Sequence, residues 1–337
     1  MTESDNRLFM VAHHMVIDVV SWHIMLDDLS THLDNEVSDE ILILPKKGTS
    51  YRQWQEKLSS YGNSTYLSQE FKYWKKQLAK TVQLPNDFSN DKKVSTFEDI
   101  KHYRTKLTTE ATEALLKECH QTYNTEINDL LLSSLAMTLG PWLNASEFAI
   151  GLEGHGREDL FDDTDINRTV GWFTSLFPMA LEYAKNDIGE TIIETKERLR
   201  RTPNKGIGYG VLAYLSNDEE VRSQLAEDFQ QIIFNYLGQF DTKDQTNGLF
   251  SRASESMGAN ISLKNHNSHA LSISGLVLEG EMQFNWSYDS NLLSEATVSQ
   301  LAKAFDRNLS LIIGHCLETT KFLIISYKCA LICLLLT

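Results

Sequence analysis

The chain has 337 residues, 42% of them hydrophobic and 23% charged. That length can bury a sizeable core, as one large domain or two lobes, and the composition is that of an ordinary globular protein. A net charge of −15 argues against a nucleic-acid binder, which needs clustered Lys and Arg, and against general attraction to an anionic membrane.

The start of the chain is acidic and polar, without the basic and apolar regions of a secretion signal. Leu8–Ile17 is an apolar run that predicts a buried strand ending at Asp18. Trp22, Met25, Leu26, Leu29 and Leu33 follow at helical spacing, so His13, His14 and Asp18 stand where a strand hands over to a helix. Ser50–Leu58 and Ser68–Leu78 predict helices, and Leu84–Ile100, with Pro85 and several polar residues, predicts a linker. Thr108 or Thr109 caps a helix that buries Leu115 and Leu116, and Ile127–Leu139 is an apolar helix stopped by Gly140-Pro141. Phe148–Leu152 is a short strand with Glu153 at its end. Leu271–Leu278 and the alternating run Met282–Tyr288 predict a hairpin across Glu279-Gly280. Helices and strands alternate, which predicts an α/β layered fold. Phe322–Leu336 is an apolar tail interrupted by Lys328, too short to span a bilayer comfortably. Cys119, Cys316, Cys329 and Cys333 form no CxxC pair, and the ten histidines are scattered. Reduced thiols in a cytoplasmic protein are expected, and no metal site.

Two positions invite acid–base chemistry. On a strand, adjacent His13 and His14 point to opposite faces, so one packs and the other faces a cleft, where an imidazole exchanges protons near pH 7. A bare His-His pair reads as two structural histidines; Asp18 and Ser21-Trp22 at fixed offsets change that. Glu153 ends a strand and precedes Gly154 and Gly156, which allow close backbone approach. Burial there raises a carboxyl pKa and makes a better base.

His13-His14-Met-Val-Ile-Asp18, with the following Ser21-Trp22, resembles the His-His-x-x-x-Asp motif of the condensation superfamily. Five further blocks are similar to its epimerization branch and occur in the family's order: Leu44–Trp54, Tyr123–Leu132, Glu153–Glu158, Asn167–Pro178 and Pro203–Gly210. The block Phe234-Asn-Tyr-Leu-Gly-Gln-Phe-Asp241 follows them. The resemblance runs from about Leu8 to about Leu317. It implies two chloramphenicol-acetyltransferase-like lobes forming a V, the N-terminal lobe being incomplete. Residues 1–83 are then the N-terminal remnant, 84–100 the linker, 101–318 the C-terminal lobe and 319–337 an apolar tail outside the family pattern. Val19 stands where the family has Gly directly after the motif Asp.

The resemblance implies an epimerization domain of a nonribosomal peptide synthetase, which interconverts L and D residues held as carrier thioesters. Inverting an α-carbon needs one group to remove a proton and another to return it on the opposite face. His14 and Glu153 are expected to be that pair, with either one as the base for the L form. Tyr236 either hydrogen-bonds the enolate or packs as a core aromatic, and Asn235 lines the site. His13 and Asp18 are expected to support the motif, and Arg168 to pair with Asp18 and tie the lobes together. Arg200, Arg201 and Lys205 lie in the densest basic run of the chain and are candidates for steering an acidic carrier. No cofactor of its own is implied, only the phosphopantetheine arm of a peptidyl carrier protein acting in trans. The alternatives are a condensation-type acyltransferase, which uses the same His14, and an inactive carrier-binding remnant.

Overall fold

The computed structural model describes residues 6–38, 45–88, 94–185, 187–226, 229–239, 250 and 253–335, with backbone only at 34–38 and 322–335. Its centre is a six-stranded mixed sheet in the order β1-β6-β5-β4-β2-β3. The strands are β1 (Ile100–Lys106), β2 (Glu147–Gly154), β3 (Ser175–Glu182), β4 (Ile232–Gln239), β5 (Leu271–Leu278) and β6 (Glu281–Asp289). β2, β4 and β5 run parallel to one another, whereas the β2–β3, β5–β6 and β6–β1 pairs are antiparallel. The β5–β6 hairpin forms as its alternation predicts, with both turn residues, Glu279 and Gly280, at positive φ.

The helices are α1 (Val19–Ser38), α2 (Tyr51–Tyr61), α3 (Thr65–Ser68), α4 (Phe71–Leu78), α5 (Thr109–Lys117), α6 (His120–Tyr123), α7 (Ile127–Leu143), α8 (Ile188–Arg201), α9 (Ile207–Leu215), α10 (Glu219–Leu225) and α11 (Glu295–Leu335). Ser50 begins α2 with a capping box to Gln53, and Thr108 begins α5 by accepting from Ala111 N. Phe148, Ile150 and Leu152 of β2 and Phe234 of β4 point to one face, where they share a core with Leu131 and Leu135 of α7 and Phe305 and Leu309 of α11. Leu67, Trp74 and Leu78, from α3 and α4, enter the same core. The stretch 84–100 is tied down by Asp87, whose carboxylate accepts from Ser294 N and Thr297 Oγ1 at the start of α11. Ser89 and Asn90 within that stretch lie outside the described residues.

Three sequence expectations need correction. Leu8–Ile17 is not a strand: no described strand pairs with it, and a strand needs a neighbour for its backbone N–H and C=O groups. Leu8, Phe9, Val11, Met15 and Val16 are exposed, and His14–Val16 forms a 3-10 turn. Helix α7 does not stop at Gly140-Pro141 but runs to Leu143. Proline φ suits a helix and forfeits one hydrogen bond; Trp142 and Leu143 pack on the core, and left-handed Asn144 ends the helix instead. Ser68–Leu78 is broken, with α3 ending at Ser68 and α4 starting at Phe71.

No helix among the described residues is long and apolar enough to cross a membrane. Helix α11 continues without a break into the apolar stretch beyond residue 318.

Candidate active site

Asp18 precedes α1 and is nearly buried. Burial pushes its carboxyl pKa up, but hydrogen bonds from Ser21 and Arg157 outweigh this and hold it below the usual range. Ser21 donates from both its backbone N–H and its Oγ to Asp18 Oδ1, at 2.7 and 2.6 Å. Arg157 Nη2 donates to Asp18 Oδ1 and Oδ2 at 3.0 and 3.1 Å. Its Nη1 donates to the carbonyls of Ile166 and Thr169, and its guanidinium stacks 4.1 Å above the Phe173 ring. Phe173 N closes the cluster by donating to Asp18 Oδ2. The start of α1, the Gly154–Glu158 loop and the 166–173 segment are thereby clamped together.

The predicted Asp18–Arg168 pair does not form. Arg168 binds Asp27 and Asp28, about two and a half turns further along α1. The side chain that sequence reasoning missed is Arg157, inside the Glu153–Glu158 block. Gly156, directly before it, has φ +67°, and a Cβ there would fall 1.6 Å from Phe173 O. The tight turn that swings Arg157 onto Asp18 therefore demands glycine.

His14 lies four residues before this clamp. Its ring is exposed and rests against Trp172, with centroids 5.5 Å apart. His13 is exposed as well; its Nδ1 accepts from Met15 N and shapes the 3-10 turn. Both histidines are thus exposed, and no strand fixes an alternation between them.

Glu153 belongs to the face of β2 opposite the α7 core, since Leu152 and Phe148 take the core side. The parallel register Leu152↔Phe234 brings Asn235 of β4 alongside it. Asn235 Nδ2 donates to Glu153 Oε2. Burial raises the pKa of the Glu153 carboxyl, and the nearby charge of His14 opposes that rise. An exposed imidazole and a half-buried carboxylate, from the start and the middle of the chain, thus lie within electrostatic range of each other.

Tyr236 is not brought to this group. As the next residue of β4 it takes the opposite face, where its ring packs near Gly275 and joins the core, and burial raises its phenol pKa. Of the basic run, Arg200 donates to Asn124 O, and Lys205 Nζ pairs with Glu158 at 3.2 Å. Arg201 is exposed, with no ion pair among the described residues. No group of three or more His, Cys, Asp or Glu placed to hold a metal occurs among the described residues.

The sequence model of the condensation domain family matches residues 1–325. Surfactin synthase subunit 2 of Bacillus subtilis (strain 168) is 38% identical over 318 residues, covering 94% of this chain and 9% of that protein. Gramicidin S synthase 1 of Brevibacillus brevis is 38% identical over 331 residues, covering 94% and 30%. The chain thus spans less than a third of the length of these curated relatives. The epimerization domain from the third module of tyrocidine synthetase B superposes with a TM-score of 0.83 at 35% identity, over 91% of this chain and 69% of that one. The condensation domain of Monacolin K polyketide synthase shares the fold, with a TM-score of 0.68 at 14% identity over 89% and 68%. The mixed α/β architecture is that of the chloramphenicol-acetyltransferase-like condensation superfamily, and the chain belongs to the condensation domain family of nonribosomal peptide synthetases.

Proposed function

We propose that this chain epimerizes, from L to D, an aminoacyl or peptidyl residue held as a pantetheine thioester on a peptidyl carrier protein. The observation that carries the reading is the half-buried Glu153 carboxylate, held by Asn235 and in electrostatic reach of His14. A thioester carbonyl acidifies the adjacent α-proton, so one carboxylate and one imidazole suffice to remove and return it. A raised pKa makes Glu153 a stronger base, and His14 presents an exposed imidazole as the second proton carrier. The likeness to a solved epimerization domain at 35% identity supports isomerisation over condensation.

Asp18 acts as a structural anchor, through Arg157, and Asn235 orients Glu153. The phosphopantetheine arm comes from a carrier protein in trans, with Arg201 as a steering charge. The chain needs no cofactor of its own and works in the cytoplasm. The test is incubation with an L-aminoacyl carrier in deuterated water. Deuterium at the α-carbon, with D product, supports the reading. Amide product with an added acceptor carrier, and no α-deuterium, selects the condensation-type acyltransferase. Carrier binding with neither product selects an inactive remnant.

A further inference from the structure

Away from Glu153 lies another buried carboxylate that the reaction does not use. Glu70 sits between α3 and α4, is 7% exposed, and has no cation paired with it among the described residues. Burial pushes its pKa up, against hydrogen bonds from Trp74 and Asn204. Both oxygens are occupied: Oε1 accepts from Asn204 Nδ2 at 2.8 Å and Oε2 from Trp74 Nε1 at 3.1 Å. Asn204 Nδ2 also donates to Tyr61 Oη at 3.1 Å. Gly208 makes room for the carboxylate, since a Cβ there would stand 2.2 Å from Oε2. A buried carboxylate without a cation is costly unless its oxygens are hydrogen-bonded, so Glu70 depends on its Trp74 and Asn204 donors.

Its partner lies in an unusual backbone. Asn204 and Lys205 are consecutive residues in the left-handed region, with φ of 44° and 50°. Asn tolerates this conformation, whereas Lys rarely adopts it, so the turn persists only where its surroundings hold it. The turn then meets the strand end that carries Glu153. A Cβ on Gly206 would collide with the Phe177 ring of β3, and one on Gly154 would stand 3.7 Å from Lys205 O. Lys205 Nζ reaches Glu158, which His155 also contacts at 3.3 Å. Glu153, Arg157 and Glu158 thus share one short segment buttressed by this turn.

We infer that Glu70 is a positioning residue: through Asn204 it holds the left-handed turn that fixes the segment 153–158, and so sets Glu153 and Arg157 in place. The catalytic part of this inference rests on the epimerization reading; the structural coupling does not. Glu70→Gln keeps size but offers one acceptor where two donors point, so it breaks one bond in either orientation. Asn204→Ala removes the tether and keeps the strain. Asn204→Gly removes the tether and the left-handed cost at residue 204, leaving only that at Lys205.

The experiment measures peptide-resolved amide hydrogen exchange over 153–158, and α-deuterium incorporation on a loaded carrier, for these three variants of the full chain. E70Q and N204A speed exchange in that segment, and lower kcat, by about ten-fold each (roughly 1.4 kcal/mol), with KM for the carrier unchanged. N204G recovers part of both losses and falls between N204A and the wild type. Wild-type exchange over 153–158 in E70Q overturns the inference, as does N204G behaving like N204A. If E70Q does not fold, the two Asn204 variants decide alone. If the wild-type chain moves no α-proton, the epimerization reading fails and the amide-exchange arm still decides this one.

Discussion

Arg157 and Asp18 are 139 residues apart in sequence and meet as a two-oxygen ion pair with both side chains 5% exposed. Breaking a buried pair by removing one partner leaves an uncompensated charge. Arg157→Ala is therefore expected to cost about 3–5 kcal/mol, read as a lowered midpoint in urea. The Asp18 pKa is depressed in the folded chain, so its stabilisation is present above the unfolded value of about 3.9 and is lost as pH falls through the folded value. The wild type should lose stability on acidification below about pH 4, and R157A should show a weaker loss over the same range.

Arg168 provides the contrast. Its partners Asp27 and Asp28 are partly solvent-exposed on the α1 surface. Arg168→Ala should cost no more than about 1 kcal/mol, and raised salt should shrink the difference from the wild type. A loss matching that of R157A would return Arg168 to the role the sequence first assigned it.

Glu153→Gln and His14→Ala are each expected to lower α-deuterium incorporation by about 10²–10⁴-fold without unfolding the chain. Because burial raises the Glu153 pKa, the acid limb of the rate profile should lie above the ordinary glutamate value of about 4.3, with activity rising as pH increases through it. Asn235 donates to the charged carboxylate, so Asn235→Ala should move that limb to still higher pH.

Asp306 of α11 faces β1 and accepts a hydrogen bond from Thr105, and burial pushes its pKa up to about 6. The folded state therefore holds this proton more tightly than the unfolded chain. Its contribution favours folding below about pH 4 and is lost as pH rises through about 6. Asp306→Asn should remove that decline and raise Tm at pH 8 by about 2 °C, a modest figure because the carboxyl is partly open to solvent. Calorimetry at pH 5 and pH 8 measures both effects.

The parts legible in the sequence were those whose signal is local. The β5–β6 hairpin follows from alternation and two turn residues, and the caps at Ser50 and Thr108 from side chains one turn away. The motif residues His14, Asp18 and Glu153 were visible through ordered blocks. Their wiring was not: choosing Arg157 over Arg168 requires knowing that Gly156 turns the chain under Phe173. Tyr236 and Asn235 are adjacent in one block, yet strand alternation sends them to opposite faces once β4 exists. Leu8–Ile17 carried a strand composition without a described neighbour to pair with, and composition cannot supply one. Glu70 went unnoticed because nothing nearby in sequence distinguishes a buried carboxylate from a solvated one.

The parallel pairing of β2 with β4 also sets a timetable for biosynthesis. Glu153 finds its amide donor only 82 residues later, across a crossover that cannot close until β4 has left the ribosome. A nascent chain released between those strands would carry the carboxylate without the hydrogen bond that orients it. Competence should therefore arrive in one late step during translation, not by gradual accumulation.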